Sequence, residues 1–586
     1  MIKKNQNDID GLKKIGKIVA LTIDEMIHHA RVGITIKELD DIGGQFLKGH
    51  GAVPSPKKTN NFFSNTCISI NNEIVPGISD DRIIQPDDII NIDVTAELGG
   101  YYAAAGRSFR VQNETAMSDV RSLLERTQIH AVDFLSRLDT QSVSATTDIF
   151  TLRRRLGLPL SNDGIPAERV IDELVAATEG GHLGSAGGRF FAWVIGGALP
   201  SALAADWLTS TWDNNAALYA CGPASSVVEE VAGAWVKEVL DLPSTASFAF
   251  TTGCQMAHFT CLAAARHALL RDRGWNVELN GLTGAPAIRI LASEQRHGSI
   301  ERALRFLGIG TAALVPLATD ADARVTADVL STALKASDSP TIVILDAADL
   351  NVAAIDPFSE LIPIARAAGA WVHIDGAFGL WARASGQHQS KLAGVELAHS
   401  WATDAHKWLN TPKDIGIALI TDSDAHRAAM GISANYLTHD EETRDQINWT
   451  PDWTRRARGF AVYAALRELG KAGVADLIER SCAHAAALAN GIAALQGAEL
   501  IFAPTLNQAL VRFLSPEPNA SEADHDARTT SVIAAINTEG TAFFSGTVWR
   551  GRRAMRISVV NWRTSEADVH ATLAAVARVL ANIEHK

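Results

Sequence analysis

The feature that most constrains the fold is an alternation of short apolar segments and helical patterns between residues 245 and 430. Short apolar runs of this kind are typical of strands buried on both faces. The predicted strands are Ser247–Thr251, Ala287–Ala292, Ala312–Pro316, Thr341–Leu345, Ala370–Ile374 and Ile415–Ile420. This alternation predicts an α/β fold, a mostly parallel sheet with helices on both faces. Ligands of such sheets bind beyond the carboxyl ends of the strands, so we expect the functional residues there.

Composition divides the chain near residue 112. Nine of the sixteen lysines fall in residues 1–58, and all thirteen tryptophans fall after residue 190. Met117 stands where the second composition begins, as the start codon of a once separate protein would. We therefore predict a fusion, natural or engineered. Its expected parts are a first segment (1–112), an arm and helical segment (117–244), a large domain (245–440) and a small α+β domain (441–586).

Charge and cysteine usage exclude several classes of protein. The formal net charge of −13 argues against non-specific binding to nucleic acid or to an anionic membrane. No uncharged apolar run is long enough to span a bilayer, and the first residues lack the apolar segment of a signal peptide. The five cysteines form no CxxC pair and no metal-ligand spacing. We expect a reduced, cytoplasmic protein whose partner is a small molecule.

Two helical patterns and three alternating stretches organise the first segment. The predicted helices are Asp8–His29 and Ile36–Lys48, and the predicted strands are Thr66–Asn71, Ile89–Glu97 and Tyr101–Phe109. This segment resembles the N-terminal half of a methionine aminopeptidase, which has the pita-bread fold. The residues that carry the resemblance are Cys67–Asn71, Pro76–Ile78 and Asn91–Val94.

That resemblance also shows what the first segment lacks. It implies a metal site built on two aspartates eleven residues apart. Asp93 fits the first position, but Ala104 stands at the second, and Pro76 stands where a histidine is expected. One carboxylate cannot hold a metal pair, so we expect an inactive folding or solubility appendage.

Three separate segments of the second part carry residues suited to one cofactor. Gly253, Cys254 and Gln255 follow a predicted strand and open a helix, whose free N–H groups would hold a phosphate. Asp375 ends another apolar run, and Lys407 stands among apolar and aromatic neighbours, where an ammonium loses hydration. Each feature alone is common in structural roles. Together they supply the phosphate cradle, the carboxylate and the Schiff-base lysine that pyridoxal 5'-phosphate needs.

Residues 118–586 resemble the group II pyridoxal-phosphate-dependent decarboxylases, which have the aspartate aminotransferase fold (fold type I). The matching motifs are His406-Lys407-Trp408 and His373–Ala377. The resemblance implies that Lys407 forms the Schiff base, that Asp375 meets the ring nitrogen, and that His297 stacks on the ring opposite Ala377. No metal ligand is expected. The implied cofactor-binding residues are Gly253, Cys254, Gln255, His297, Asp375, Ala377, Thr403, His406 and Lys407.

The same resemblance implies a reaction type. Tyr436 lies twenty-nine residues after Lys407 and fits the mobile-loop tyrosine that protonates the substrate Cα after carbon dioxide leaves. A phenylalanine there would have indicated aldehyde formation. The resemblance thus implies decarboxylation of an L-amino acid, with aromatic ones among the candidates, and catalytic roles for Lys407, Tyr436 and His297. It also implies a homodimer.

Several pocket segments depart from the family pattern and leave the substrate open. They are Cys254-Gln255, Asp349–Ala354, Ala186–Gly188 and Cys221–Pro223. Another reaction on an amino acid, such as aldol cleavage or transamination, and a non-catalytic scaffold remain alternatives. Arg556 could hold a substrate carboxylate, although an ordinary surface arginine is the preferred interpretation.

Overall fold

The computed structural model describes residues 6–55, 64–73, 79–111, 115–160, 162, 164–432 and 443–584. The chain forms two compact units. One comprises Met1–Asp133 and Leu160–Val175, and the other comprises Phe134–Pro159 and Ala176–Lys586.

An antiparallel sheet and two long helices form the core of the first unit. The helices are Gln6–His29 and Ile36–Gly49, and the strands are β1 (Val53–Pro54), β2 (Cys67–Ile70), β3 (Ile89–Leu98) and β4 (Tyr101–Arg110). Strand β3 pairs with the other three, and alternate residues along it are buried. Gly99 and Gly100 both have positive φ, as a tight two-residue hairpin requires. The predicted helices and strands of this segment are confirmed.

Strand pairing places the residues that the resemblance to an aminopeptidase assigns to a metal site. Asp93 lies on β3 opposite Gly106 of β4, and Ala104 lies opposite Thr95. Burial raises the pKa of Asp93. Pro76, Gly77 and Ile78 lie outside the described residues.

The second unit is built on a seven-stranded sheet. Its strands run in the order β5-β11-β10-β9-β8-β6-β7, and only the pairs that include β11 are antiparallel. The mostly parallel sheet is therefore confirmed, with all six predicted strands present within a few residues of their predicted bounds. The bounds are β5 (Ser247–Thr251), β6 (Arg289–Ser293), β7 (Leu314–Leu317), β8 (Thr341–Asp346), β9 (Trp371–Asp375), β10 (Ser400–Asp404) and β11 (Gly416–Ile420).

Apolar layers cover both faces of this sheet. Val343 and Leu345 of β8 belong to one buried cluster, whereas Ile342 and Ile344 belong to another. Because successive side chains of a strand point to opposite faces, the two clusters are the two layers between sheet and helices. Between residues 115 and 430, the described α-helices are Thr115–Arg137, Ile149–Leu156, Ala167–Thr178, Pro200–Trp212, Pro223–Val239, Cys254–Arg271, Val277–Asn280, Gly298–Phe306, Ala327–Lys335, Phe358–Ala367 and Ser423–Met430.

The C-terminal part of the second unit adds a smaller antiparallel sheet, as the α+β prediction required. Its order is β12-β13-β15-β14, and its helices are Gly459–Ala493, Glu522–Glu539 and Glu566–Glu584. The strands are β12 (Ala498–Phe502), β13 (Gln508–Phe513), β14 (Ser545–Trp549) and β15 (Arg552–Ser558). Within the described part of the chain, no helix is long and apolar enough to cross a membrane.

Candidate active site

Lys407 lies in the turn that follows the carboxyl end of β10, an inner strand of the seven-stranded sheet. Strand β10 is buried along its whole length, between parallel β9 and antiparallel β11. Trp401 and Trp408 are buried, and the indole of Trp401 donates to the carbonyl of Val395. The Lys407 side chain is 20% exposed, so a small molecule can reach it although the strand and tryptophans around it are buried.

Asn410 fixes that turn to two distant segments. Its side-chain oxygen accepts hydrogen bonds from the backbone N–H groups of Gly197 (2.9 Å) and Trp562 (3.0 Å). Its side-chain amide donates to the carbonyls of Trp408 (2.9 Å) and Val560 (2.8 Å). Asn410 is fully buried and has positive φ, which asparagine tolerates better than most residues. No local sequence pattern marks this anchor of the Lys407 turn.

Gly196 is a second packing requirement of the turn. A Cβ atom at this position would clash with the backbone carbonyl oxygen of Lys407. The backbone of the Gly196 segment therefore lies directly against the turn, and only glycine fits.

Asp404, the last residue of β10, links Lys407 to the predicted phosphate cradle. Its Oδ1 accepts a hydrogen bond from the backbone N–H of Cys254 (2.6 Å), at the start of the helix Cys254–Arg271. Its Oδ2 lies 3.5 Å from the Lys407 amine. A carboxylate at a helix N-terminus is favourable, because the N–H groups there carry partial positive charge. One N–H group of the predicted cradle is thus bonded to Asp404, a role that sequence reasoning missed.

The other predicted cradle residues lie around the same helix start. Gly253 has φ of +78°, a conformation that favours glycine. The side chain of Gln255 donates to the backbone carbonyl of Ser299 (3.2 Å), which ties the helix start to the turn after His297. The imidazole of His406 lies 3.4 Å from Asp404 through its Nδ1 atom.

Asp375 ends β9, the strand beside β10, and is buried. Its Oδ1 accepts from the N–H of Ala377 (3.1 Å), and its Oδ2 lies 3.4 Å from Nε2 of His258. Burial would raise the pKa of Asp375, but the nearby His258, with smaller electrostatic contributions from His297 and Lys407, outweighs it and holds this pKa below its usual range. The carboxylate is therefore an anion at neutral pH.

Ala377 and Thr403 join the two strand ends. The carbonyl of Ala377 accepts from the N–H of Asp404 (2.9 Å) and from the hydroxyl of Thr403 (3.5 Å). The two strand ends that carry Asp375 and Lys407 are thus held together by direct hydrogen bonds.

His297 caps the helix Gly298–Phe306, and its Nδ1 accepts from the N–H of Ser299 (3.2 Å). Burial lowers its pKa, while the charge of Asp375 raises it and that of Lys407 lowers it further. His297 is therefore within electrostatic reach of both residues, and its stacking on the cofactor ring stays a prediction.

Arg556 is not a surface residue, and the preferred interpretation from the sequence is wrong on this point. It lies buried on β15 and donates to the carbonyl of Leu350 (3.1 Å). That carbonyl belongs to the unusual segment Asp349–Ala354. There, the Asp349 carboxylate accepts from the backbone N–H groups of Asn351 and Ala354. An isolated arginine in the sequence gave no signal that this loop would cover it.

Two further expectations concern the proton donor Tyr436 and the absence of metal ligands. Tyr436 lies outside the described residues, and its role stays a prediction. Among the described residues, the buried side chains of Cys254, His258 and Asp375 place ligand-type atoms within 4.8 Å of one another. All five cysteines are free thiols.

The residues present fit pyridoxal phosphate. An amine that is partly exposed, an ionised buried carboxylate, a histidine of low basicity and a glycine-led helix start lie at one edge of one sheet. This is the set of groups that the aldehyde, ring nitrogen, ring face and phosphate of the cofactor would contact. Asp404 is the one departure, since a phosphate at this helix start would have a carboxylate beside it.

Residues 183–514 match the model of the family described as the pyridoxal-dependent decarboxylase conserved domain. The chain belongs to the pyridoxal-dependent decarboxylases. It is 29% identical over 395 residues to an L-2,4-diaminobutyrate decarboxylase of Rhizobium meliloti, covering 65% of this chain and 76% of that relative. It is 25% identical over 450 residues to an aromatic-L-amino-acid decarboxylase of Bacillus atrophaeus, covering 75% and 90%.

A solved structure agrees on the fold of this decarboxylase. The crystal structure of Oryza sativa TDC with PLP and tryptamine superposes with a TM-score of 0.75 at 22% identity, over 80% of this chain and 98% of that one. The fold type I prediction is confirmed. The chain is accordingly a pyridoxal-phosphate-dependent amino acid carboxy-lyase.

The first segment has different relatives. Residues 10–144 match metallopeptidase family M24. The chain is 47% identical over 110 residues to methionine aminopeptidase 2 of Bacillus subtilis, which is 19% of this chain and 44% of that protein. The decarboxylase is therefore preceded by a segment that spans less than half the length of its aminopeptidase relative, and the predicted fusion is confirmed.

Proposed function

We propose that this enzyme converts an L-amino acid to the corresponding amine and carbon dioxide, with Lys407 as the residue that holds the cofactor covalently. The supporting observation is the convergence of the Lys407 amine, the Asp375 carboxylate and the helix start at Cys254. When bound, pyridoxal phosphate supplies an electron sink for the pair released as the bond between Cα and the carboxylate breaks.

Each residue of the site then has one task. Asp375, an anion held between Ala377 and His258, keeps a proton on the ring nitrogen. His297, whose pKa is lowered by partial desolvation, would lie against the cofactor face. Asp404 lies close enough to the Lys407 amine to orient it and to exchange a proton with it.

Tyr436 is the proposed proton donor to Cα after carbon dioxide leaves. Its phenol would deliver the proton that converts the decarboxylated substrate to an amine. The expected signature is amine as the product of the normal enzyme. In the Tyr436→Phe variant, amine formation should fall, and in the presence of dissolved dioxygen as the two-electron oxidant, aldehyde, ammonia and hydrogen peroxide should appear in its place. Unchanged amine formation by that variant would remove Tyr436 from the mechanism.

The substrate is proposed to be an aromatic L-amino acid, and the active species a homodimer in the cytoplasm. The aromatic assignment is supported by the Bacillus atrophaeus relative, most of whose length the chain covers. Arg556, buried near His297 and Asp349, is a candidate cation for a substrate carboxylate.

The decisive assay offers a panel of L-amino acids to the purified enzyme with added cofactor. Carbon dioxide and amine should appear in equal amounts from at least one of them. Product without carbon dioxide would indicate aldol cleavage or transamination instead. The Lys407→Arg variant is the control, and it should abolish turnover.

The aminopeptidase-like segment is proposed to be inactive. Asp93 stands opposite Gly106 on the neighbouring strand, and Ala104 offers no ligand atom. Assays of Met-initiated peptides with added Mn²⁺ or Co²⁺ should show no methionine release. Release that disappears in an Asp93→Ala variant would contradict this.

A further inference from the structure

A row of buried polar side chains leads away from the carboxylate of Asp375. Nε2 of His258 lies 3.4 Å from Asp375 Oδ2, and Nδ1 of His258 lies 2.9 Å from Nε2 of His373. Nδ1 of His373 lies 2.9 Å from Oγ of Ser400, which also accepts the indole N–H of Trp371 at 2.9 Å. Each of the five residues is at most 6% exposed, so water competes little for these contacts.

Three elements of the sheet region hold this row in place. His258 lies one turn into the helix that Cys254 begins, and His373 lies two residues before Asp375 on β9. Ser400 is the first residue of β10 and pairs with His373 in the parallel register of the two strands. The row therefore joins the helix of the phosphate cradle to both strands that carry the cofactor-binding residues.

The proton positions in the row follow from its two ends. The ionised carboxylate of Asp375 only accepts, so the facing Nε2 of His258 must carry a hydrogen. His373 is neutral, because burial lowers its pKa to about 3. If His258 is neutral, its Nδ1 accepts from His373, which accepts from Ser400 in turn. If His258 is charged, its Nδ1 donates to Nε2 of His373, and Nδ1 of His373 donates to the hydroxyl oxygen of Ser400. In both cases, Nε2–H of His258 faces Asp375.

We propose that His258, supported by His373 and Ser400, is a positioning residue that orients the Asp375 carboxylate toward the ring nitrogen of the cofactor and keeps it ionised. This inference rests on the proposed function, since it assigns the partner of the cofactor-binding acid. His258 acts through Asp375 and does not touch the reacting atoms.

A metal ion is the competing explanation for the same group of side chains. Cys254 Sγ lies 3.4 Å from His258 Nε2, and these atoms with Asp375 would suit a thiophilic cation. Burial raises the pKa of the Cys254 thiol well above its ordinary value, and the nearby carboxylates raise it further, so the sulfur is protonated when no cation is bound. The hydrogen-bonded row explains the same distances with no ion.

The test compares two probes that differ at one atom. Affinities of the cofactor-free protein for pyridoxal phosphate and for 1-deazapyridoxal phosphate, in which carbon replaces the ring nitrogen, are measured by fluorescence titration. The ratio of the two affinities isolates the contact with Asp375. In His258→Leu the ratio should fall by roughly tenfold to a hundredfold, as expected for losing a hydrogen bond to a charged group.

Three further variants separate positioning from general damage. His258→Gln keeps an N–H near the Nε2 position and should retain most of the ratio. Ser400→Ala, a small change that should fold, should reduce it about threefold. His426→Leu is the matched control. His426 is likewise fully buried and bonded through both ring nitrogens, to Ser247 and Trp449, and its loss should leave the ratio unchanged.

The outcomes distinguish this inference from the function on which it rests. If the unaltered protein binds no pyridoxal phosphate, the proposed function is wrong. If it binds and prefers pyridoxal phosphate, but His258→Leu and Ser400→Ala keep the same ratio, the positioning role alone is overturned. Elemental analysis that finds one metal ion per chain, lost in Cys254→Ser, would make His258 a ligand and overturn it as well.

Discussion

Replacing Asn410 by alanine should destabilise the second unit severely. The side chain makes four buried hydrogen bonds, and alanine leaves the N–H groups of Gly197 and Trp562 without their acceptor. At about 1 kcal/mol for each bond, the loss is about 4 kcal/mol. The positive φ at this position adds about 1 kcal/mol for a residue with a plain Cβ. The total approaches the whole stability of a typical domain, about 5–15 kcal/mol.

Urea unfolding followed by tryptophan fluorescence measures this loss. All thirteen tryptophans lie after residue 190, so the signal reports the second unit without interference from the first. Asn519→Ala is a matched control, because Asn519 has a similar positive φ but is exposed, and it should cost only about 1 kcal/mol. Asn410→Asp keeps both acceptor contacts but turns a buried carboxylate oxygen toward the carbonyls of Trp408 and Val560, so it should cost at least as much as Asn410→Ala.

The same experiment would refute the reasoning in a simple way. If Asn410→Ala lowers the urea midpoint no more than Asn519→Ala does, with equal slopes, the four hydrogen bonds do not carry the stability assigned to them.

Two other changes test the buried charges of this unit. Arg455→Leu leaves Glu229 buried without the cation that lies 2.7 Å from it. Urea unfolding should show a loss of about 3–5 kcal/mol in the free energy of unfolding. The double variant with leucine at both positions should recover much of that loss. Burial and the nearby Asp356 raise the pKa of Asp346 well above its ordinary value, so the folded protein keeps a proton that the unfolded chain releases above about pH 4. Stability should therefore fall as the pH rises from about 4 through neutrality, and melting temperatures should show a smaller fall in Asp346→Asn. An equal pH dependence in that variant would show that Asp346 ionises normally in the folded chain.

The central strands could be predicted from the sequence because burial on both faces leaves a continuous apolar run. Thr341–Asp346 and Trp371–Asp375 are of this kind, and each ends in the acid that marks the functional edge. Strand β10 could not be predicted in the same way. Ser400, Thr403 and Asp404 are polar, and the segment is a strand because β9 and β11 bond to it on both sides.

The contacts within the site depend on distances that no local pattern encodes. Asp404 meets Cys254, 150 residues earlier, and His258 meets His373, 115 residues later. The sequence indicated which segments carry Lys407, Asp375 and His297, because those motifs are local. It gave no sign of Asp404, Asn410 or His258, whose roles arise only when separate elements pack together, nor of the loop that buries Arg556.

The central claim is that Lys407 holds the cofactor in a decarboxylase site. Its most direct test is borohydride reduction of the enzyme with bound pyridoxal phosphate, followed by peptide mapping by mass spectrometry. We predict a single reduced adduct on Lys407 and its absence from Lys407→Arg. An adduct on another lysine, or no adduct at saturating cofactor, would contradict the account.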